Sequence, residues 1–190
     1  MENYKKNFDL LKKNNVYSEE MEHDACGVGL ISSTEGKKSR KVVEYGIEAL
    51  KAVWHRGAVD ADGKTGDGAG IHVEIPKDFF IEKIEVTGHT YDSSEICVGM
   101  IFLPRNDYAA QESCKTIVES ELTKNDFSIY GWRQVPVDPK VLGEKAFQTM
   151  PEIIQVLFKS NNPELLNKEL ERKIYETRRK IENKAFKISL

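Results

Sequence analysis

ICVGMIFLP, residues 96–104, is an apolar run flanked by polar and charged chain. It has two counterparts, CGVGLIS at residues 26–32 and PEIIQVLFK at residues 151–159. These runs are too continuously apolar for strands with one face in water, so they are predicted to be buried strands. FSIYGWRQVPV, residues 127–137, is predicted to be extended as well. Mixed with the helical patterns described next, they predict a layered α/β sandwich.

Helical periodicity first appears in the segment that follows Ser39, a suitable N-cap. Apolar residues recur there at helical spacing: Val43, Ile47, Leu50 and Trp54. This pattern predicts an amphipathic helix over residues 40–54. A loop rich in glycine and aspartate follows at residues 55–70, and the alternating segment GIHVEI at residues 70–75 is predicted to be a strand.

The second half of the chain carries two further helical patterns. The first predicts a helix over residues 108–124. The second has Asn162 as N-cap and Pro163 at the first helical position, and it predicts a charged helix that reaches Asn183. The closing segment KAFKISL, residues 184–190, is predicted to begin a strand.

The composition is that of a soluble globular protein, with 39% hydrophobic and 31% charged residues. No stretch approaches the ~18 apolar residues of a membrane span. Residues 1–25 lack the apolar centre of a secretory signal, and they carry acids that transit peptides avoid. The net charge is −3, with Lys and Arg spread among acids, so nucleic acid is not an expected partner. We therefore expect a cytoplasmic protein with no membrane or nucleic-acid partner.

Three cysteines, Cys26, Cys97 and Cys114, form no CxxC pair, so neither a disulfide framework nor a zinc site is predicted. Cys97 and Cys114 fall on apolar faces and are expected to be structural. Position alone favours burial for Cys26 too. However, a cysteine directly behind a cleavable leader gains a free α-amino group, which can act as the base that activates its own thiol. Cys26 is therefore the candidate nucleophile.

The loop at residues 55–70 offers several polar side chains. Asp60, Asp62 and Asp67 lack the spacing of an EF-hand, so turn chemistry is a better explanation for them than a metal site. Arg56 either faces the nucleophile or ties down one of these aspartates. Both interpretations of Arg56 stay open at this point.

Several motifs, taken in order, resemble the N-terminal glutamine amidotransferase region of the glutamate synthase large-subunit family. They are DACGVGLI, WHRGAVDADGKTGDGAGI, IPKDFF, GMIFLP, YGWRQVPVDPKVLGEKA and MPEIIQVLF. HRG alone is a weak signal, whereas HRGA followed by ADGKTGDGAG is diagnostic. The resemblance runs from Asp24 to Leu190.

The resemblance implies an α+β fold, the four-layer αββα sandwich of N-terminal nucleophile (Ntn) hydrolases, incomplete at the C-terminus of these residues. It implies that residues 1–25 are a propeptide, cut between Ala25 and Cys26. Residues 26–190 would be the N-terminal part of a class-II glutamine amidotransferase domain. Cys26 would attack the side-chain amide of glutamine, and hydrolysis of the thioester would release glutamate after ammonia. Arg56 would be a substrate-binding residue.

In the full subunit, the resemblance implies FMN and a 3Fe-4S iron–sulfur cluster, with no cofactor in this segment. Ammonia would convert 2-oxoglutarate to glutamate there. The implied partners are L-glutamine, the remainder of the large subunit and a small NAD(P)H-oxidising subunit, while NADPH, NADH and ferredoxin all stay open as electron donors. The family's HSRFST-like and HNGE-like segments, which bind glutamine and form the oxyanion hole, are not among these residues. Residues 1–190 alone are therefore expected to be inactive.

Two alternatives accompany this interpretation. Another amidotransferase, of the phosphoribosylpyrophosphate type, would share the fold, but ADGKTGDGAG and GWRQVPVDP favour glutamate synthase. A non-catalytic interaction module that keeps the same fold is the alternative from a different class. A retained leader and an unreactive Cys26 would distinguish that module from an enzyme.

Overall fold

The structure is a computed structural model that describes residue 6 and residues 27–54, 57–92 and 95–188. The chain divides into two compact units. Unit 1 comprises Met1–Asp60 and Gly66–Ile71, and unit 2 comprises Ala61–Thr65 and His72–Leu190.

Helices and strands of the described residues follow one another in mixed order. In chain order they are α1 (Arg40–Ala52), α2 (Lys77–Val86), β1 (Cys97–Leu103), α3 (Tyr108–Lys124), β2 (Phe127–Gln134), a 3₁₀ turn (Pro139–Val141), α4 (Glu144–Thr149), β3 (Glu152–Ser160) and α5 (Asn167–Ile188). The strands form one antiparallel sheet in the order β1–β3–β2. An α+β architecture is thus confirmed, together with the predicted strands at residues 96–104 and 151–159 and the predicted helix at 108–124.

Unit 1 contains α1, and the predicted helix over residues 40–54 is confirmed to within two residues. The Ser39 side chain accepts a hydrogen bond from the Lys41 N–H over 3.2 Å, which is the expected N-cap. No residue of α1 is buried. The apolar face of α1 is only partly buried. The periodicity therefore predicted the helix correctly, but it did not predict how exposed this face is.

Two predicted strands are wrong. Residues 27–32 and 70–75 have no strand structure, and Val28 and Leu30 are 92% and 90% exposed. A strand needs a neighbour for its N–H and C=O groups, and none of the described residues pairs with either segment. Their apolar patterns therefore indicate strand propensity, but neither segment pairs with another strand in the described part of the chain.

Unit 2 packs helices on both faces of the sheet. On one face, the strand residues Cys97, Phe127, Val156 and Phe158 form a core with Val118 and Leu122 of α3 and Leu170 of α5. On the other face, Tyr130 and Leu157 pack against Phe80 and Ile84 of α2, with Ile96 beside them. Val156 and Leu157 lie in different cores because successive side chains of a strand point to opposite faces of the sheet.

An irregular register in β2 brings this strand close to the end of α2. The pairing with β3 shifts between Ile129 and Gly131, and Gly131 has φ +149°. A Cβ at Gly131 would lie 2.7 Å from Thr87 Cγ2, so only glycine fits there. The Thr87 hydroxyl donates to the Tyr130 carbonyl over 2.8 Å and so fastens this contact.

The last helix differs from its prediction at both ends. Asn162 accepts a hydrogen bond from the Glu164 N–H over 2.9 Å, but this closes a separate turn, and α5 begins at Asn167, whose φ is +52°. The predicted end at Asn183 and the predicted strand from residue 184 are also wrong, since α5 continues to Ile188. Lys184 donates to Glu121 of α3 over 2.5 Å, and this ion pair favours continuation of the helix. Residues 189–190 lie outside the described residues.

Candidate active site

Cys26 and Arg56, the predicted nucleophile and substrate-binding residue, both lie outside the described residues. The structure therefore neither brings them together nor separates them. What it does describe is the chain that follows each of them and the loop between residues 57 and 70.

The segment directly after Cys26 is open. Gly27 to Leu30 are exposed, and a Cβ added at Gly29 would meet no atom within 4 Å. The described residues next to the predicted nucleophile are therefore exposed.

The chain beside Arg56 folds into a narrow loop within unit 1. Ala58 donates its N–H to Asp67 Oδ2 over 2.7 Å, and the Asp67 N–H returns a bond to the Ala58 carbonyl over 3.2 Å. Val59 and Gly66 form the next antiparallel bridge. A Cβ at Gly66 would lie 3.0 Å from the Ala58 carbonyl oxygen, so the two sides approach closely. The Asp67 carboxylate is therefore used by the loop backbone.

The tip of the loop, Ala61–Thr65, belongs to unit 2 and folds around Asp62. Asp62 Oδ1 accepts from the N–H groups of Lys64 (2.9 Å) and Thr65 (2.7 Å), and Oδ2 accepts from the Thr65 hydroxyl (2.5 Å). The Thr65 hydroxyl first, and then these N–H groups, lower the pKa of Asp62 well below its usual range. The predicted turn chemistry is confirmed for Asp62, whereas Asp67 accepts its hydrogen bond across the loop from Ala58, nine positions earlier.

This tip lies against the start of α4. Asp62 also accepts a hydrogen bond from the Lys145 backbone, and the Ala146 N–H donates to the Thr65 hydroxyl oxygen over 3.4 Å. Gly143 is buried, and a Cβ there would lie 2.5 Å from Asp62 Oδ2 and closer still to Thr65. Sequence reasoning missed this contact. The signal was weak: a glycine before a short helix in LGEKA, which a helix start alone also explains.

Within the described part of the chain, no group of His, Cys, Asp or Glu side chains is arranged to hold a metal ion. The described cysteines do not fit the iron–sulfur cluster that the resemblance implies for the full subunit. Burial first, and then Glu95 and Glu171, raise the pKa of the Cys97 thiol to about 12, which opposes the thiolate that iron requires. Cys114, in α3, is half-buried. The expectation of a buried, structural Cys97 is confirmed.

Comparison with known families identifies the chain. Residues 26–189 match the sequence profile of the class-II glutamine amidotransferases, so the match starts at Cys26. The chain belongs to this family. The predicted resemblance is thereby confirmed, and the domain is a glutamine amidotransferase domain.

Individual relatives of the amidotransferase domain are glutamate synthases. The glutamate synthase [NADPH] large chain of Azospirillum brasilense is 52% identical over 179 residues, which is 94% of this chain and 12% of the relative. Ferredoxin-dependent glutamate synthase 2 of Arabidopsis thaliana is 37% identical over 92% of this chain and 11% of its own length. The ferredoxin-dependent glutamate synthase of Cyanidium caldarium is 40% identical over 162 residues, which is 85% of this chain and 10% of the relative. The chain thus spans 10–12% of the length of these relatives.

These relatives favour glutamate synthase over the phosphoribosylpyrophosphate type of amidotransferase. They name two different electron donors, NADPH and ferredoxin, so they leave the donor open. In the described residues, no helix combines the length and apolarity needed to cross a membrane.

Proposed function

We propose that residues 26–190 form the N-terminal part of the glutaminase domain of a glutamate synthase, with Cys26 as its nucleophile. The observation that carries the proposal is the family match, which begins at Cys26, together with 52% identity to a glutamate synthase large chain over 94% of this chain. Cleavage between Ala25 and Cys26 would remove residues 1–25 as a propeptide and make the cysteine the first residue.

The proposed chemistry uses two groups of Cys26, its α-amino group and its thiol. Its freed α-amino group takes the thiol proton, and the thiolate attacks the side-chain carbonyl carbon of glutamine. The C–N bond then breaks, the α-amino group returns the proton to the departing nitrogen, and ammonia leaves a γ-glutamyl thioester. Water hydrolyses this thioester to glutamate and regenerates the thiol.

Arg56 is proposed as a substrate-binding residue on the loop between α1 and residue 70. The forked donors of an arginine suit a carboxylate or an amide, which supports a role for Arg56 towards the substrate.

The fold is proposed to be the four-layer αββα sandwich of Ntn hydrolases. Exposed apolar side chains in residues 27–32 and 70–75, such as Val28, Leu30 and Val73, support this proposal, because a second sheet would cover them. The described antiparallel sheet, with α3 and α5 on one face, would supply one β layer and one helical layer.

In the parent subunit, the ammonia is proposed to convert 2-oxoglutarate to glutamate. FMN and a 3Fe-4S cluster would be bound outside this segment, and the remainder of the large subunit and a small NAD(P)H-oxidising subunit would be partners. The setting is proposed to be the cytoplasm. Residues 1–190 in isolation are proposed to be inactive.

The test is glutamine hydrolysis by protein expressed from the complete reading frame. Wild-type protein should release glutamate and ammonia from glutamine, and Cys26→Ala should abolish release. Cys114→Ala is the matched control, because this half-buried thiol has no proposed chemistry. Glutamine hydrolysis by Cys26→Ala at the wild-type rate would contradict the proposal.

A further inference from the structure

The sheet of unit 2 has two edge strands, β1 and β2, which differ in how they are protected. β2 has an irregular register before Gly131, and it carries Arg133 and Gln134 near its end. Bulges and charged side chains are devices by which proteins prevent further strands from pairing with an edge. β1, with the sequence CVGMIFL, contains no charged residue and no proline. β2 therefore has the features of a true sheet edge, whereas β1 has those of a strand that is paired on both sides.

The register shows which backbone groups of β1 face away from β3, along what we call the open edge. Val135 donates its N–H to the Ile153 carbonyl over 3.1 Å, so odd-numbered residues of β3 point their N–H and C=O groups towards β2. Even-numbered residues of β3 point towards β1, where they lie opposite odd-numbered residues, such as Ile154 opposite Ile101. The backbone groups of the even-numbered residues of β1 therefore face the open edge. These residues are Val98, Met100 and Phe102.

The open edge combines available backbone groups with exposed apolar side chains. Among the described residues, no backbone group outside the sheet bonds to Val98, Met100 or Phe102. Met100 and Phe102 are 49% and 63% exposed, on the sheet face opposite to α3 and α5. A further strand at this edge would pair with the backbone and place its own side chains about 5 Å from these two. The edge thus fits an extended segment with apolar side chains.

The connection through α5 indicates which segment pairs there. β1 and β2 are parallel, because each is antiparallel to β3, and α3 connects them across one face of the sheet. α5 follows β3 and packs on the same face. Crossover connections between parallel strands are right-handed in about 98% of cases. Since β3 runs opposite to β1, a right-handed crossover through α5 leads in the opposite lateral direction, from β3 past β1 to the open edge.

α5 is also long enough for this crossover. Its 22 residues span about 33 Å, whereas the seven residues of β1 span roughly 23 Å. The helix can therefore return the chain along the whole length of the sheet before a new strand begins.

We propose that the open edge of β1 binds the segment of the same chain that follows α5, as a fourth strand antiparallel to β1. The inference rests on the proposed function in one respect, since it takes residues 26–190 as the N-terminal part of a longer domain. β1 then becomes an interior strand, in agreement with its uncharged sequence. In the complete reading frame, the segment after α5 should carry apolar residues at alternate positions, because one of its faces lies beside Met100 and Phe102.

Residue-resolved hydrogen exchange in the full-length protein tests whether the open edge is paired. Gly99 and Ile101 are internal references, because their N–H groups point towards β3. With a strand at the open edge, the N–H groups of Met100 and Phe102 should exchange within about tenfold of the reference rates. Alternation of slow and fast exchange along β1 would overturn the proposal.

Photo-crosslinking identifies the paired segment. In Phe102→benzoylphenylalanine, we expect a link within the same chain, to the segment directly after α5, located by peptide mass spectrometry. Gln134→benzoylphenylalanine is the matched control, because Gln134 is exposed at the opposite edge of the sheet and should give no link to that segment. A link from position 102 to another segment or to a second copy, or no link, would overturn the proposal. Both measurements are independent of glutamine hydrolysis, so loss of activity with a paired edge would contradict the proposed function alone.

Discussion

Lys184 in α5 donates a hydrogen bond to Glu121 in α3 over 2.5 Å, and the Glu121 side chain is only 5% exposed. Lys124 adds a second cation at 3.6 Å. The hydrogen bond from Lys184 is the main cause that lowers the pKa of Glu121, and the same bond raises the pKa of Lys184. A buried carboxylate between two helices is tolerated here because cations compensate it.

This ion pair predicts a defined pH window for helix packing. Since the pKa of Glu121 is lowered in the fold, its contribution is present above its ordinary value of 4.5 and is lost as pH falls through the folded value. Since the pKa of Lys184 is raised, its contribution is present below 10.5 and is lost as pH rises through the folded value. Glu121→Gln should therefore accelerate hydrogen exchange in α5 at neutral pH, with a difference from wild type that shrinks in acid.

Glu112→Gln is the control for that experiment. Glu112 also pairs with a lysine of α3, but its side chain is 72% exposed, and exposed pairs of this kind contribute little. Equal effects of Glu112→Gln and Glu121→Gln on exchange in α5 would refute the assigned role of the buried pair.

Cys97 is predicted to be an unreactive thiol. Burial, the first cause, raises its pKa to about 12, so almost no thiolate forms near neutral pH. The native protein at pH 8 should therefore incorporate iodoacetamide at Cys114 much faster than at Cys97, and denaturant should abolish this difference. Peptide mass spectrometry measures both sites. Rapid labelling of Cys97 in native protein would show that the strand residue is not buried.

Leu157 should be among the most sensitive positions of unit 2. It is fully buried at the centre of the sheet, at 0% exposure, and contacts the cluster around α2. Leu157→Ala should destabilise the fold by about 2–5 kcal/mol, because it removes buried methyl groups and leaves a cavity. Met100→Ala is the control on the same sheet face. Met100 is 49% exposed, so this variant should lower the free energy of unfolding much less. Denaturant unfolding measured with a probe in unit 2 checks both variants.

The sequence predicted β1, β3 and α3 well because their signals are local. An apolar run of seven to nine residues between polar flanks leaves few alternatives to a buried strand, and both runs found a partner in each other. The runs at residues 27–32 and 70–75 carry a similar signal but have no partner among the described residues. Strand formation depends on pairing, and a single segment does not encode its neighbour.

The remaining errors also come from tertiary contacts. Asn162 and Pro163 form a correct local turn signal, but the chain uses it for a turn before α5. The helix extends past Asn183, and Lys184 in this extension donates to Glu121, which lies 63 positions away. The contact of Gly143 with Asp62 depends on a similar long-range approach. Motif reasoning identified the family without geometry, since the order of motifs is itself specific, and the role of Cys26 stays a prediction.

The most direct measurement is mass-spectrometric mapping of the N-terminus of protein expressed from the complete reading frame and shown to hydrolyse glutamine. The proposed mechanism requires a free α-amino group on the nucleophile. We predict that the active protein begins at Cys26, with residues 1–25 removed. Active protein that retains residues 1–25 would contradict Cys26 as an N-terminal nucleophile.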